Sequence, residues 1–211
     1  MAMTVTAKIP ESEHDDERDR ALLRAVAARD QRALEQLYRL YRRPLLHFLA
    51  RLQPDRDSAE EAINDAFWVI WRQAHSFRGA SRVSTWITGI AWRCALSVYR
   101  RNSAAPRGAT QVQFGRAAEE LAAEPSLLEE RAEWLDRGLS SLPFEQRATL
   151  ELAYYLGHSC AEIAEIMQCP INTVKARMFQ ARIKLRNLLP GLGGLDAAIA
   201  AAAEPQSPPG G

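Results

Sequence analysis

Five cations, Lys175, Arg177, Arg182, Lys184 and Arg186, lie between Asn172 and Leu189, and no Asp or Glu interrupts them. Wound at 3.6 residues per turn, Val174, Met178, Ala181, Leu185 and Leu188 fall on one stripe suited to a core, while Lys175, Phe179, Arg182 and Arg186 fall on another. Asn172 can cap this helix, Thr173 follows it, and Ala176 and Gln180 lie just beside the cationic ridge. Cations and an aromatic at helical spacing are the groups that meet phosphates and base edges in duplex DNA. A solvated surface helix, or cations favoured at a helix C-terminus, accounts for the positive charge. Neither accounts for the exclusion of acids or for Phe179.

A short helix precedes the cationic one. Ser159 can cap "CAEIAEIM", whose apolar positions are Ile163, Ala164 and Met167, and "QCPI" supplies a tight turn. Short helix, turn and long cationic helix form a helix-turn-helix pattern, whose second helix can enter a major groove.

A second group lies upstream, in "SAEEAINDAFWVIWRQAHSFRGASRVSTWITGIAWRCALSVYRR". Ser58 and Glu61 have capping-box spacing, and Ile63, Phe67 and Ile70 make a buried stripe. Glu61, Asn64, Asp65 and Trp68 lie away from it, an acidic and aromatic surface suited to a basic protein partner. Then come Phe77, Arg78, Arg82, Trp86, Trp92, Arg93, Arg100 and Arg101. Aromatics interleaved with arginines suit single-stranded nucleic acid, which needs stacking surfaces and phosphate partners. Burial in a core is the alternative for Trp86 and Trp92, and partial burial is expected for Trp86.

The elements that position these groups are helical throughout, and the predicted fold is all-α: two small helical domains joined by a flexible linker. Residues 1–17 read as a disordered extension and 18–102 as a first helical domain. Residues 103–126 read as the linker, 127–189 as a second domain holding the helix-turn-helix, and 190–211 as a low-complexity tail. Pro44 is placed where a new helix can start, and Pro143 opens another that Gly157 can end.

With 211 residues, 47% hydrophobic, the chain can bury a core. Net charge is only +1, so nucleic-acid binding must rest on local patches. Cys94, Cys160 and Cys169 have no framework spacing, and His14, His47, His75 and His158 have no ligand spacing. We therefore expect no metal, no cofactor and no catalytic residue. No signal peptide or membrane-length apolar run appears, pointing to a cytoplasmic protein without membrane insertion.

Three of these stretches, in order, resemble bacterial sigma factors of the extracytoplasmic function (ECF) group. "SAEEAINDAFWVIW" is similar to the family's polymerase-binding helix, and "FRGASRVSTWITGIA" to its promoter-melting segment. "LPFEQRATLELAYYLGHSCAEIAEIMQCPINTVKARMFQARIKL" resembles its C-terminal promoter-reading domain. The likeness covers about residues 19–102 and 127–189. It implies that Glu61, Asn64 and Asp65 hold the β′ clamp helices of core RNA polymerase. It also implies that the Phe77–Thr85 loop and the helix after it capture an unpaired base of the −10 element. Lys175, Arg177, Phe179 and Arg182 would engage the −35 element. An anti-sigma partner and a stress or envelope response are further implications. Arg93 stands where the family often has Asn, and Ala176 and Gln180 where Ser and Arg are frequent. In the family the linker threads the RNA exit path; Glu119, Glu120 and Glu124 suit such a channel, though a solvated acidic linker is the simpler reading.

The expected function is a dissociable subunit that directs core polymerase to promoters and opens them. The alternative is a polymerase-independent helix-turn-helix regulator whose N-terminal helices sense a ligand or dimerise. A third class, a module that sequesters a partner through "INDAFWVIW", leaves the cationic helix unexplained.

Overall fold

The computed structural model describes residues 13–53, 55–104 and 138–188, and these are helical with no strand among them. The elements are α1 (Glu13–Ala27), α2 (Gln31–Ala50), α3 (Arg56–Gln73), a 3-10 turn (Ala74–Ser76), α4 (Val83–Ala104), α5 (Phe144–Leu150), a π turn (Glu151–Tyr155), α6 (Cys160–Met167) and α7 (Ile171–Leu188). The predicted linker beyond Ala104, the tail, and most of the helix expected before Pro143 lie outside the described residues.

Four boundaries differ from the sequence expectation, each for a local reason. Residues 13–17, expected to belong to the extension, are helical, because α1 starts at Glu13. Acidic side chains suit a helix N-terminus, and Asp16 also accepts from the Val83 N–H, 2.9 Å away. Pro44 starts no new helix but lies buried inside α2. An internal proline costs about 3 kcal/mol, yet Leu37 and Tyr41 before it and Leu45, Phe48 and Leu49 after it are all fully buried. One continuous apolar face thus outweighs the missing N–H. Ser58 is not the cap of α3. Asp55 is, accepting from the Ser58 N–H at 2.7 Å and its hydroxyl at 3.0 Å, so Glu61 is free to pair with Arg101. Asn172 is likewise not a cap, because α7 begins at Ile171 and the Thr173 N–H reaches the Pro170 carbonyl.

Helices α1 to α4 form the larger core around Tyr41, Phe48, Leu37, Ile63, Ile70, Ile87 and Ile90. Tyr41 donates its hydroxyl to Asp19, a buried carboxylate that also accepts from Arg18. Ala148, Leu152, Leu156, Ile163, Ile166, Val174 and Met178 from α5 to α7 are continuous with that same core. A smaller cluster joins Leu139, Leu142, Leu150, Ala181 and Leu185. The two helical blocks are therefore packed against one another.

Candidate nucleic-acid and partner interfaces

Helix α6 opens on a complete capping box. Ser159 accepts from the Glu162 N–H, and the Glu162 carboxylate accepts from the Ser159 N–H at 2.9 Å. It stops where Gln168 turns left-handed at φ 51°, and Pro170 then leads into α7. Val174, Met178, Ala181 and Leu185 are buried as their spacing predicts. The opposite ridge is open: Asn172, Lys175, Ala176 and Gln180 are exposed, Thr173 is half-buried, and Phe179 is 64% exposed.

Two cations depart from a uniform ridge. Arg182 is half-buried, its Nη2 donating to the Tyr154 hydroxyl at 2.6 Å with the guanidinium 6.0 Å from that ring. Tyr154 was not singled out from sequence; it lies within the π turn Glu151–Tyr155. Arg177 turns back into the domain, where its Nη2 donates to Glu145 and its Nη1 lies 3.6 Å from the Cys169 sulfur. Gln180 is tied to Gln146, whose Nε2 donates to it at 3.0 Å.

On α3 the expected division holds. Ile63, Phe67 and Ile70 are buried, while Glu61, Asn64 and Asp65 are exposed and Trp68 is 61% exposed. Among the described residues the Trp68 indole faces outward beside carboxylates, the kind of side chain that interface anchors use.

The third patch is the loop before α4. Phe77 and Trp86 are half-buried, with ring centroids 5.5 Å apart; Arg78, Arg82 and Arg93 are exposed. Sequence reasoning missed what shapes the loop. Arg20 of α1 donates to the Ser81 carbonyl at 2.9 Å, contacts the Gly79 carbonyl, and lies 5.5 Å from the Phe77 ring. Gly79 has φ 73°, and a side chain there would collide with Arg20 at 2.9 Å. Trp92 takes its alternative reading: 3% exposed, it stacks on Phe144 of the second block at 5.4 Å.

The three cysteines are unpaired and half-buried, and burial first, then Asp65, pushes the Cys94 thiol above its usual value. Among the described residues no group of three or more His, Cys, Asp or Glu side chains could hold a metal ion. None of the described helices is long and apolar enough to cross a membrane.

Comparison with known proteins places these patches in context. The family described as Sigma-70 region 2 matches residues 37–105, and that described as Sigma-70, region 4 matches residues 132–185. The chain is 34% identical over 172 residues to the ECF RNA polymerase sigma factor SigM of Mycobacterium tuberculosis H37Rv, covering 81% of this chain and 84% of that one. It is 30% identical over 178 residues to the ECF RNA polymerase sigma-E factor of Escherichia coli K12, covering 80% and 93%. Its fold matches the sigma factor RpoE of Bartonella quintana, solved with the anti-sigma factor NepR. The TM-score is 0.57 at 26% identity, over 74% of this chain and 95% of that chain.

Proposed function

The chain belongs to the ECF group of the sigma-70 family, RNA polymerase sigma factors that direct transcription initiation, and from that premise we propose how the work is divided along it. Residues 18–102 act as the region that grips core polymerase and opens the −10 element. Residues 127–189 read the −35 element, and residues 103–126 connect the two.

Glu61, Asn64, Asp65 and Trp68 present the polymerase-facing surface. Phe77, Arg78, Arg82, Trp86 and Arg93 handle the melted strand. A flipped base costs a few kcal/mol to unstack, and an aromatic pocket flanked by cations offsets that cost. Lys175, Phe179 and Arg182 form the working ridge of α7, with Asn172, Thr173, Ala176 and Gln180 at its margins. Arg177 belongs to this surface only at its edge, since Glu145 already holds it.

The observation that carries the reading is the open α7 ridge: cations and an exposed Phe179 over a fully apolar underside, with no acidic residue among them. The chain acts by binding rather than by catalysis, in the cytoplasm where core polymerase and promoters meet. An anti-sigma factor, as in the complex of its RpoE relative, is a fitting third partner.

Reconstituted transcription tests this. Core polymerase should give a promoter-specific transcript only when the chain is added, and the chain alone should bind promoter DNA weakly, because each small domain offers too few contacts for stable specific binding. Failure to co-purify with core polymerase, or the same specific transcripts from core polymerase without the chain, would refute the proposal.

A further inference from the structure

Gln180 stands exposed at the middle of the α7 ridge, and it is held there by a second glutamine. Gln146, half-buried on α5, donates from its Nε2 to the Gln180 Oε1 at 3.0 Å. The bond fixes the oxygen end of the Gln180 amide against the protein. Among the described residues, the Gln180 NH2 group is left for an outside partner.

Neighbouring side chains narrow the chemistry that this point of the ridge can do. A guanidinium reads guanine by a two-point contact to O6 and N7. Both arginines flanking Gln180 already have one arm of the fork occupied: Arg177 Nη2 by Glu145, and Arg182 Nη2 by the Tyr154 hydroxyl at 2.6 Å. Ala176, exposed one turn before Gln180, ends in a methyl group, which packs on the C5-methyl of thymine. An amide and a methyl, rather than a free guanidinium, therefore face outward at the centre of α7.

An amide sets a donor and an acceptor side by side. Adenine offers the matching pair in the major groove, the N7 acceptor and the N6 donor, whereas guanine offers two acceptors, N7 and O6. A glutamine that turns freely accommodates guanine by presenting only its NH2 group. Tied through its oxygen to Gln146, Gln180 cannot turn, and that oxygen would repel guanine O6. The oxygen has two lone pairs, so the bond from Gln146 leaves one for adenine N6. Resting on the reading of α7 as the −35 helix, we infer that Gln180 selects an adenine in the −35 element and that Gln146 is the positioning residue that makes the selection strict.

Selection by the assembled enzyme tests this. The full chain with core polymerase transcribes a pool of promoter fragments whose −35 region is randomised, and the transcribed templates are sequenced. Wild type should favour adenine over guanine about tenfold at one position, the worth of one good two-point contact. Q180R should switch that position alone to guanine, and Q180A should level it. Q146A should cut the adenine preference there severalfold and leave the other positions as they were, a change that mere loss of stability does not produce. A base other than adenine favoured by wild type at the position that Q180R or Q180A alters overturns the inference. So does a −35 profile identical in Q180A and wild type, or an undiminished adenine preference in Q146A. A flat −35 region in wild type, or a profile untouched by Lys175→Ala with Arg182→Ala, counts instead against α7 as the −35 helix, and the inference falls with it.

Discussion

Arg20 on α1 holds the loop that precedes α4, its guanidinium 2.9 Å from the Ser81 carbonyl oxygen and 5.5 Å from the centre of the Phe77 ring. A charge-assisted hydrogen bond of this kind contributes about 1.5–3 kcal/mol. Arg20 thus acts as a positioning residue for the strand-capturing loop. R20A should lower promoter opening about tenfold, read by permanganate reactivity at the −10 element, while core-polymerase affinity is unchanged. R20K should recover part of the loss. Equal opening by R20A and wild type would remove Arg20 from this role.

The α7 cations should separate by location. Lys175→Ala with Arg182→Ala should flatten the slope of log affinity against log salt for −35 duplex by about two units, one per phosphate contact. Arg177→Ala should leave that slope nearly unchanged and lower thermal stability, because its guanidinium is held by Glu145 beside Cys169. A full unit of slope lost in R177A would place Arg177 back on the ridge.

Trp68 and Ile70 are two residues apart on α3 and face opposite ways. W68A should weaken core-polymerase binding by about 2 kcal/mol, the scale of an interface anchor, with the melting temperature hardly moved. I70A should do the reverse, at about 2–5 kcal/mol of folding stability. Fluorescence anisotropy against core polymerase, paired with thermal unfolding, distinguishes them.

Removing the Tyr41 hydroxyl should destabilise the larger block. Asp19 is buried, and its carboxylate is satisfied by Tyr41 and Arg18. Burial first, then Asp19, drives the Tyr41 phenol far above its ordinary range, so it remains a donor at any working pH. Y41F leaves the carboxylate one donor short and should cost about 1–3 kcal/mol in urea unfolding. A stability gain in Y41F would contradict this account.

Acid should loosen the contact between the two blocks. Burial, then Arg51 and Arg43, holds the His47 imidazole below its ordinary 6.5, with Tyr155 stacked on it and Glu151 paired to Arg51. With the closed-state value depressed, the separated state binds the proton more readily. Closure is therefore fully supported above about pH 6.5 and loses that support as pH falls below it. Glu162 adds a second, lower step. Burial raises its carboxyl, but bonds from the Ser159 N–H and hydroxyl, the nearby His158 and the Thr85 hydroxyl bring it below 4.5, so this contribution fades as pH falls below about 4.5. Scattering from the free protein should show expansion between pH 7.5 and 5.5, and H47Q should abolish that change. An identical pH response in H47Q would exclude the imidazole.

Much of the site was legible in the chain because its determinants are local. The stripe from Val174 to Leu185, the Ser159–Glu162 box, the left-handed Gly157 and the α3 stripe all follow from spacing within a few residues. Misread boundaries arose where competing local signals were close in strength. Asp55 outcompeted Ser58 as a cap, and Pro44 was overruled by apolar residues on both sides.

By itself the sequence determined the helices, the exposed α3 and α7 faces and the kinship with ECF sigma factors, since periodicity and motif order need no partner to be read. Only the tertiary structure decided that Arg20 clamps the Phe77 loop, that Arg177 turns inward to Glu145, and that Trp92 stacks on Phe144 rather than waiting for a base. It also decided that α6 lies on α4 at Gly89. These are meetings between residues far apart in the chain, fixed by shape and burial when the two blocks pack, and no short stretch of sequence encodes which distant side chain will arrive.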